Sequence, residues 1–358
     1  MTIGFDIYGC YVRTPANNPK LASLLDRNFS LFRTDDGPDK TDGHFTIEFQ
    51  RSKEKLPIHR KGEEAGVSIH YEPGNRTVTI NHNDAVPAAF LMHWTEFLMH
   101  WEDKTKMHAS AVVINDDGYI FAAPPNTGKT TTVMELLKQG HQFLSDDWVV
   151  VGSKGEAYCY PKNIRIFDYN LAYDPEWSVL LFENMAKPVQ KWMKIRVLLK
   201  SALLTRFLPH RFLKYGVDAA LSRPIREVDP RMIGTDPNSK PVDIAIAFWL
   251  ERGEYASLSI NRMDPEDFID RVTYTYLYEW GEYYKWYFRQ GMISEVSLPT
   301  FLNDDAQHVR DIVSKTLKNK RVMRVSIPTP TPPGELANEI VSYIQATKTG
   351  QSTTARAD

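Results

Sequence analysis

Residues 123–130 combine the residue types that bind phosphate. They read Ala-Pro-Pro-Asn-Thr-Gly-Lys-Thr and match the Walker A pattern, Gly-x-x-x-x-Gly-Lys-[Ser/Thr], except at its first position. Gly128 lets the backbone approach a phosphate, and the N–H groups of a following helix attract an anion. Lys129 supplies positive charge for the β- and γ-phosphates, and Thr130 offers a hydroxyl to Mg²⁺. The pattern predicts a site for a nucleoside triphosphate and Mg²⁺, lined by Ala123, Pro124, Pro125, Asn126, Thr127, Gly128, Lys129, Thr130 and Thr131.

Two adjacent carboxylates, Asp146 and Asp147, follow soon after the loop. Adjacent carboxylates are costly to bury unless a cation or a proton transfer uses them. One of the two can hold Mg²⁺, and the other can accept a proton from a substrate hydroxyl. A solvated turn would explain the pair without any function, but the position after a phosphate loop favours the functional interpretation.

The elements that must position these residues follow from the local pattern. Apolar residues at 119–122 predict a strand before the loop, and residues 130–139 predict a helix after it, with Gly140 beyond its C-terminus. Residues 143–151 predict one strand that contains the two aspartates. A phosphate loop requires this order of strand, loop and helix.

Residues 108–149 together resemble the catalytic domain of the bacterial HPr kinase/phosphorylase family. That family has a histidine at the start of a strand, a Walker A loop, and then a Gly-His segment followed by two aspartates. The resemblance implies that Asp146 is the general base toward an acceptor hydroxyl. It also implies that Asp147 is a metal ligand and that His108 lies beside the transferring phosphate.

The same resemblance implies an α/β fold whose P-loop nucleotide-binding domain is of the HPr kinase/phosphoenolpyruvate carboxykinase type. The short separation of Lys129 from Asp146 fits this type, because it leaves no room for an intervening strand and helix. The implied activity is transfer of the γ-phosphate of ATP to a hydroxyl, with ATP and Mg²⁺ as cofactors. Two alternatives stay open: a nucleotide-binding sensor or assembly protein without phosphotransfer, and a simple ATPase.

The acceptor is expected to differ from HPr. Ala123 and Asn126 stand where the family's loop has glycines, and its glycine-rich signature after the two aspartates is absent. The better comparison is the broad group of HPr-kinase-like proteins, which includes lasso-peptide kinases that phosphorylate a peptide serine and kinases of free serine. We therefore expect a serine of a peptide or protein, or a small hydroxyl compound, as acceptor. The family's oligomers also suggest a homo-oligomer.

The chain is predicted to contain a β-rich N-terminal domain at 1–104, a nucleotide-binding domain at 105–346 with a helical insert at about 176–222, and a mobile tail at 347–358. In the first domain the pattern predicts loop-like structure at 17–42, strands at 45–49, 67–71 and 77–81, and a helix at 87–101. In the second it predicts paired strands at 242–250 and 255–260, a helix at 265–290, a strand at 321–327 and a helix at 335–346.

Two basic features have open interpretations. Arg165 could stabilise charge that develops on a transferring phosphate, or it could be an ordinary surface residue of a strand. Residues 187–214 contain Lys and Arg but no Asp or Glu. They could dock an acidic peptide, a phosphorylated metabolite or a membrane surface, or form a solvated helix packed on the core.

The composition excludes several classes of function. The 358 residues have a net charge of −2, which gives no reason to expect a nucleic-acid partner. The aromatic residues of 274–288 lack the basic neighbours that base stacking uses, so core packing is expected. Cys10 and Cys159 support neither a disulfide framework nor a zinc site. No signal peptide and no apolar stretch of about 18 residues is evident, so a cytoplasmic protein is expected.

Overall fold

The computed structural model describes residues 2–15, 18–34, 45–52, 67–82, 86–160, 164–166, 226–228, 240–293, 302 and 304–349. The strands are β1 (Thr2–Ile7), β2 (Cys10–Pro15), β3 (Arg33–Thr34), β4 (Phe45–Arg51), β5 (Val67–Glu72), β6 (Thr77–His82), β7 (Lys104–Met107), β8 (Ala109–Ile114), β9 (Asp117–Ala122), β10 (Gln142–Ser145), β11 (Val149–Gly152), β12 (Glu156–Tyr158), β13 (Ile164–Ile166), β14 (Arg226–Val228), β15 (Val242–Gly253), β16 (Ser259–Arg262) and β17 (Arg321–Pro328). The helices are α1 (Pro19–Phe29), α2 (Ala88–Leu98), α3 (Lys129–Lys138), α4 (Pro265–Glu279), α5 (Gly281–Ile293), α6 (Asp305–Leu317) and α7 (Pro333–Lys348). The protein is thus mixed α/β, as expected.

The first sheet has six strands in the order β3-β1-β2-β4-β6-β5. Strands β2, β4 and β6 run parallel, and the other pairs are antiparallel. Alternate residues of β4, namely Phe45, Ile47 and Phe49, are buried, which is the period expected of a strand with one covered face. The predicted strands at 67–71 and 77–81 are present as β5 and β6, which pair antiparallel, and the predicted helix at 87–101 is present as α2.

The prediction of loop-like structure at 17–42 is wrong for its first part, because α1 lies there. The Asn18 side chain accepts a hydrogen bond from the Leu21 backbone N–H at 3.3 Å, and Pro19 occupies the first turn. Both are ordinary signals for a helix start. Leu21, Leu25 and Phe29 lie on one face and are buried, so packing against the sheet stabilises the helix.

The second sheet has nine strands and holds the predicted phosphate loop. Its main order is β10-β8-β9-β15-β12-β11-β7, with β17 beside β15 and β16 beside β17. Strands β9, β15 and β17 are parallel, so their carboxyl ends meet at one edge, where α/β proteins bind ligands. The predicted strand–loop–helix order is confirmed by β9, the loop and α3.

The prediction of a single strand at 143–151 is wrong. Strand β10 pairs with β8, whereas β11 pairs with β7 and β12. The chain turns between them at Asp147, whose φ is +69°, a left-handed conformation that Asp tolerates better than most residues. The passage from β7 to β8 at His108 occurs between the same two parts of the sheet.

Two other predictions in the second half need correction, and one helix was missed. Strand β16 pairs with β17 and not with β15, so the two predicted strands are not partners. The predicted helix at 265–290 is two helices, α4 and α5, separated at Trp280. Helix α6 was not predicted, and it packs against α4. The expected core packing of the aromatic residues of 274–288 is confirmed for Tyr276, Trp280 and Tyr287, which are buried, whereas Tyr274, Tyr278 and Phe288 are exposed.

The two sheets share one apolar core. The Trp101 indole N–H donates to the Ile7 carbonyl at 3.0 Å, and the Tyr8 hydroxyl donates to the Cys159 carbonyl at 2.8 Å. The predicted boundary at 104/105 falls at the start of β7. Helix α7 extends to Lys348, two residues into the predicted tail.

The predicted insert at 176–222, the basic residues 187–214 and residues 350–358 of the predicted tail lie outside the described residues. Among the helices of the described ranges, none combines the length and apolar character of a membrane span.

Candidate active site

The loop of residues 123–130 joins β9 to α3 in the way that phosphate binding requires. Gly128 precedes the helix with a φ of +115°, a conformation that glycine adopts without a Cβ penalty. Asn126 also has a positive φ, +62°, whereas Ala123 does not, so alanine replaces the usual glycine without strain. The Thr127 hydroxyl donates to the Pro124 carbonyl at 2.9 Å and closes the loop.

Lys129 lies across this loop and is buried. Its Nζ donates to the Ala123 carbonyl at 2.9 Å and to the Pro124 carbonyl at 3.2 Å. Burial lowers the pKa of the Lys129 ammonium, and the nearby carboxylates of Asp147, Asp146 and Glu279 oppose that shift. Two neutral carbonyls leave its charge uncompensated at close range, so an anion would be a better partner.

Asp146 is enclosed beside the start of α3. The Thr130 hydroxyl lies 3.1 Å from both of its carboxylate oxygens, and the Ser110 hydroxyl donates to Oδ1 at 2.5 Å. Burial raises the pKa of Asp146, the neighbouring Asp147 adds to the rise, and the two hydroxyl hydrogen bonds oppose it. The structure therefore holds a carboxylate in a position where its charge is costly, next to the hydroxyl predicted to bind metal.

Asp147 lies on the open side of the same turn, with about a third of its side chain exposed (33%). Its Oδ1 is 3.3 Å from Nε2 of His108, which is buried. The other ring nitrogen of His108, Nδ1, has no hydrogen-bond partner within the described residues and lies 3.7 Å from Oε1 of Glu279. Trp148 packs against the His108 ring, with 5.2 Å between centroids. The imidazole is thus held between two carboxylates and an indole.

The predicted catalytic and metal-binding residues whose side chains are described lie close together. Lys129, Thr130, Asp146, Asp147 and His108 come from α3, from the turn between β10 and β11, and from the junction of β7 and β8. Pro124, Pro125 and Asn126 form the exposed rim of the loop. The Thr131 hydroxyl donates to the Gly128 carbonyl at 2.8 Å. Arg165 lies in β13, but its side chain lies outside the described residues.

Three residues near the site were not predicted from the sequence. Ser110 lies two residues after His108, in β8, and was part of the motif without a role. Glu279 and Arg252 are far from the loop in sequence. The Arg252 guanidinium lies beside the loop, with Nε 3.4 Å from the Thr127 carbonyl. The only sequence signal for Arg252 is its place at the end of a long apolar strand.

The donor set suits Mg²⁺ better than a metal held by protein alone. Across the described residues there is no group of three or more His, Cys, Asp or Glu side chains arranged to hold a metal. Thr130 and Asp146 bring hydroxyl and carboxylate oxygens together. Mg²⁺ in nucleotide sites usually takes one or two such ligands and completes its shell with phosphate oxygens and water.

Comparisons with known proteins do not assign a family to the chain. No protein-family model matches the sequence, and no curated protein matches it.

Proposed function

We propose that this protein is an ATP-dependent kinase of the HPr-kinase-like type, which transfers the γ-phosphate to a hydroxyl of a peptide or protein serine or of a small molecule. The observation that supports this most strongly is the convergence of the loop and the acidic pair. Thr130, at the start of α3, contacts Asp146 at 3.1 Å, and Asp147 next to it faces outward beside His108. A protein that only binds nucleotide has no need of a second carboxylate poised in this way.

The geometry favours a particular division of labour between the two aspartates. Asp146 is enclosed, and both of its carboxylate oxygens contact the Thr130 hydroxyl, so we assign Asp146 as the metal ligand. Asp147 is partly exposed and paired with His108, so we assign it to the acceptor, as the base that orients and deprotonates the hydroxyl. The family resemblance implies the reverse order. An acceptor cannot reach Asp146 without displacing Thr130 or Ser110.

The remaining residues supply position and charge. In the proposed reaction Lys129 leaves its two carbonyl partners and neutralises phosphate oxygens, and the N–H groups at the start of α3 do the same. His108 holds Asp147 in one orientation through its Nε2 contact. When bound, Mg²⁺ would neutralise charge on the β- and γ-phosphates. Most of the catalysis would then come from alignment and a fixed electric field.

Hydrolysis of ATP is a second candidate, because the exposed third of Asp147 is also accessible to water. The same residues would act, with water as the nucleophile.

Incubation of the protein with γ-labelled ATP, Mg²⁺, free serine and serine-containing peptides tests the proposal. We expect label in an acid-stable phosphomonoester, and its loss in K129M and D147N. Label found only in inorganic phosphate would indicate an ATPase. Bound ATP without any turnover would indicate a sensor. Equal transfer by wild type and D147N would contradict the assignment of the base.

A further inference from the structure

Arg252 lies at the edge of the second sheet where the phosphate loop opens. It follows the long strand segment of β15 that runs parallel to β9, with Trp249 opposite Ala122. Three residues further on, Arg252 extends beyond the end of β9 alongside the loop. On its other side it is opposite Ile327 of β17. The carboxyl ends of three parallel strands thus bring this arginine to the ligand-binding edge.

The guanidinium contacts the loop itself. Its Nε lies 3.4 Å from the Thr127 carbonyl, and Nη1 lies 3.4 Å from the Pro328 carbonyl. A Cβ added at Gly128 would lie 3.8 Å from Nη2. At these distances, a change of side-chain rotamer would let the guanidinium contact a phosphate bound at Gly128. Both carbonyl contacts are long for hydrogen bonds and involve neutral acceptors.

Neighbouring arginines differ from Arg252 in their partners. Arg271 pairs with Glu251 at 2.7 Å, and Arg324 pairs with Asp267 at 2.8 Å. Within the described part of the chain, Arg252 has no carboxylate partner, and its side chain is exposed. An arginine without an acidic partner, held over a phosphate loop, has free donors in the planar arrangement that matches a phosphate.

We infer that Arg252 binds a phosphate group of the nucleotide at the loop and stabilises its charge. This inference rests on the proposed function, and it gives Arg252 the role that the sequence suggested for Arg165. A guanidinium at this rim also compensates for Pro124 and Pro125, which have no N–H to offer to phosphate.

Calorimetric titration with Mg²⁺–ATP tests the inference through three variants. R252Q keeps an uncharged donor for the Thr127 carbonyl but removes the charge, and R252K keeps the charge. R262Q removes an exposed arginine from β16, at the opposite end of β17 from Arg252, and is the matched control. We expect Kd to rise about ten- to hundredfold in R252Q, as for loss of a charge-assisted hydrogen bond. R252K should recover part of this loss, and R262Q should bind as wild type does.

The outcomes separate the inference from the proposed function. Wild-type affinity in R252Q, or an equal loss in R252Q and R262Q, would overturn the role of Arg252. If in addition K129M abolishes ATP binding and the wild type still transfers label to a serine hydroxyl, the proposed function stands and only the inference fails. If the wild-type protein does not bind Mg²⁺–ATP, the proposed function fails first. A lower melting temperature in R252Q with unchanged affinity would mean that Arg252 stabilises the loop but does not bind phosphate, which also overturns the inference.

Discussion

Asp146 is enclosed by the protein, and two hydroxyls are its side-chain hydrogen-bond partners among the described residues. Such a carboxylate destabilises the folded protein whenever it is ionised, because burial raises its pKa above the unfolded value. Proteins keep costly groups of this kind mainly where function uses them. In the proposed mechanism, the use is to hold the metal beside Thr130.

D146N should therefore stabilise the nucleotide-free protein while abolishing phosphotransfer. Asparagine carries no charge, so the variant avoids a cost that wild type bears above the folded pKa of Asp146. The gain should be absent well below pH 3.8, the ordinary Asp pKa, where the unfolded carboxyl is protonated too, and should grow as pH rises through the folded pKa. At pH 8 in EDTA we expect the melting temperature to rise by about 2 °C, the shift that about 1 kcal/mol produces in a large domain.

D103N is the control for this measurement, since the Asp103 side chain is 58% exposed and its loss should leave the melting temperature nearly unchanged. A melting temperature that falls in D146N at every pH would show that the carboxylate contributes net stability. The interpretation of Asp146 as a functional group whose buried charge destabilises the fold would then be wrong.

Single residues with local signals could be predicted from the sequence, and distant ones could not. Lys129, Thr130 and the two aspartates lie within one short stretch, whose spacing fixes their relation to one helix. Glu279 reaches His108 only because α4 packs near β7. The sequence around Glu279 does not predict that contact. No feature of the sequence around Asp147 predicts its left-handed backbone conformation either.

The loop and α3 behave as one element, whose geometry depends on Gly128. The φ of +115° at this position strains any residue with a Cβ, and that Cβ would approach the Thr131 hydroxyl to 3.2 Å. The strain is relieved only by a change in the loop, at the point where, in the proposed mechanism, its N–H groups meet a phosphate.

G128A should lose affinity for Mg²⁺–ATP by about five- to thirtyfold, given a cost of roughly 1–2 kcal/mol for a left-handed alanine. G140A is a matched control, since Gly140 ends the same helix with a φ of +85° and open space around its Cβ position. G140A should lose similar stability but keep its affinity for ATP, as measured by calorimetry and thermal melting. Equal affinities in the two variants would show that the loop geometry at Gly128 does not matter for binding.

Elements were predictable where the pattern is local and continuous. The order of β9, loop and α3 followed from a short apolar run, a glycine and a helical segment. The division of 143–151 into β10 and β11 did not, because each half has the apolar character of one uninterrupted strand while their partners lie in different parts of the sheet. Helix α1 was missed although Asn18 and Pro19 mark its start, because its polar residues outweighed its apolar face.

At the scale of the molecule, the first and second sheets are joined by shared core residues and by a histidine contact. The His100 ring lies 4.6 Å from that of His308 on α6 and 6.1 Å from that of Phe45 on β4. Burial and, to a smaller extent, the charges of His308, Arg76 and Lys106 together lower the pKa of His100 to about 3. His100 therefore stays neutral in the folded protein over most of the acidic range.

This contact should make the whole protein sensitive to acid. The unfolded His100 binds a proton below about pH 6.5, whereas the folded one does not until about pH 3. Stability is thus present above pH 6.5 and is lost as pH falls, by at most about 1.4 kcal/mol per pH unit from this group. H100Q should show a shallower loss between pH 6.5 and 4 in denaturant melts, and H70Q, which changes an exposed histidine, should follow wild type. If the free energy of unfolding falls equally steeply with pH in H100Q and wild type, buried His100 does not cause the sensitivity to acid.

Every step proposed for this protein depends on the binding of Mg²⁺–ATP at residues 123–130. Calorimetric titration of wild type, K129M and K154M with Mg²⁺–ATP tests that dependence most directly, since Lys154 is an exposed turn residue and controls for loss of a positive charge. We predict saturable binding of one nucleotide by wild type and K154M, and at least a hundredfold weaker binding by K129M, since a buried lysine then no longer meets the phosphates. The absence of binding by wild type, or equal binding by all three proteins, would contradict the assignment of this loop as a phosphate site.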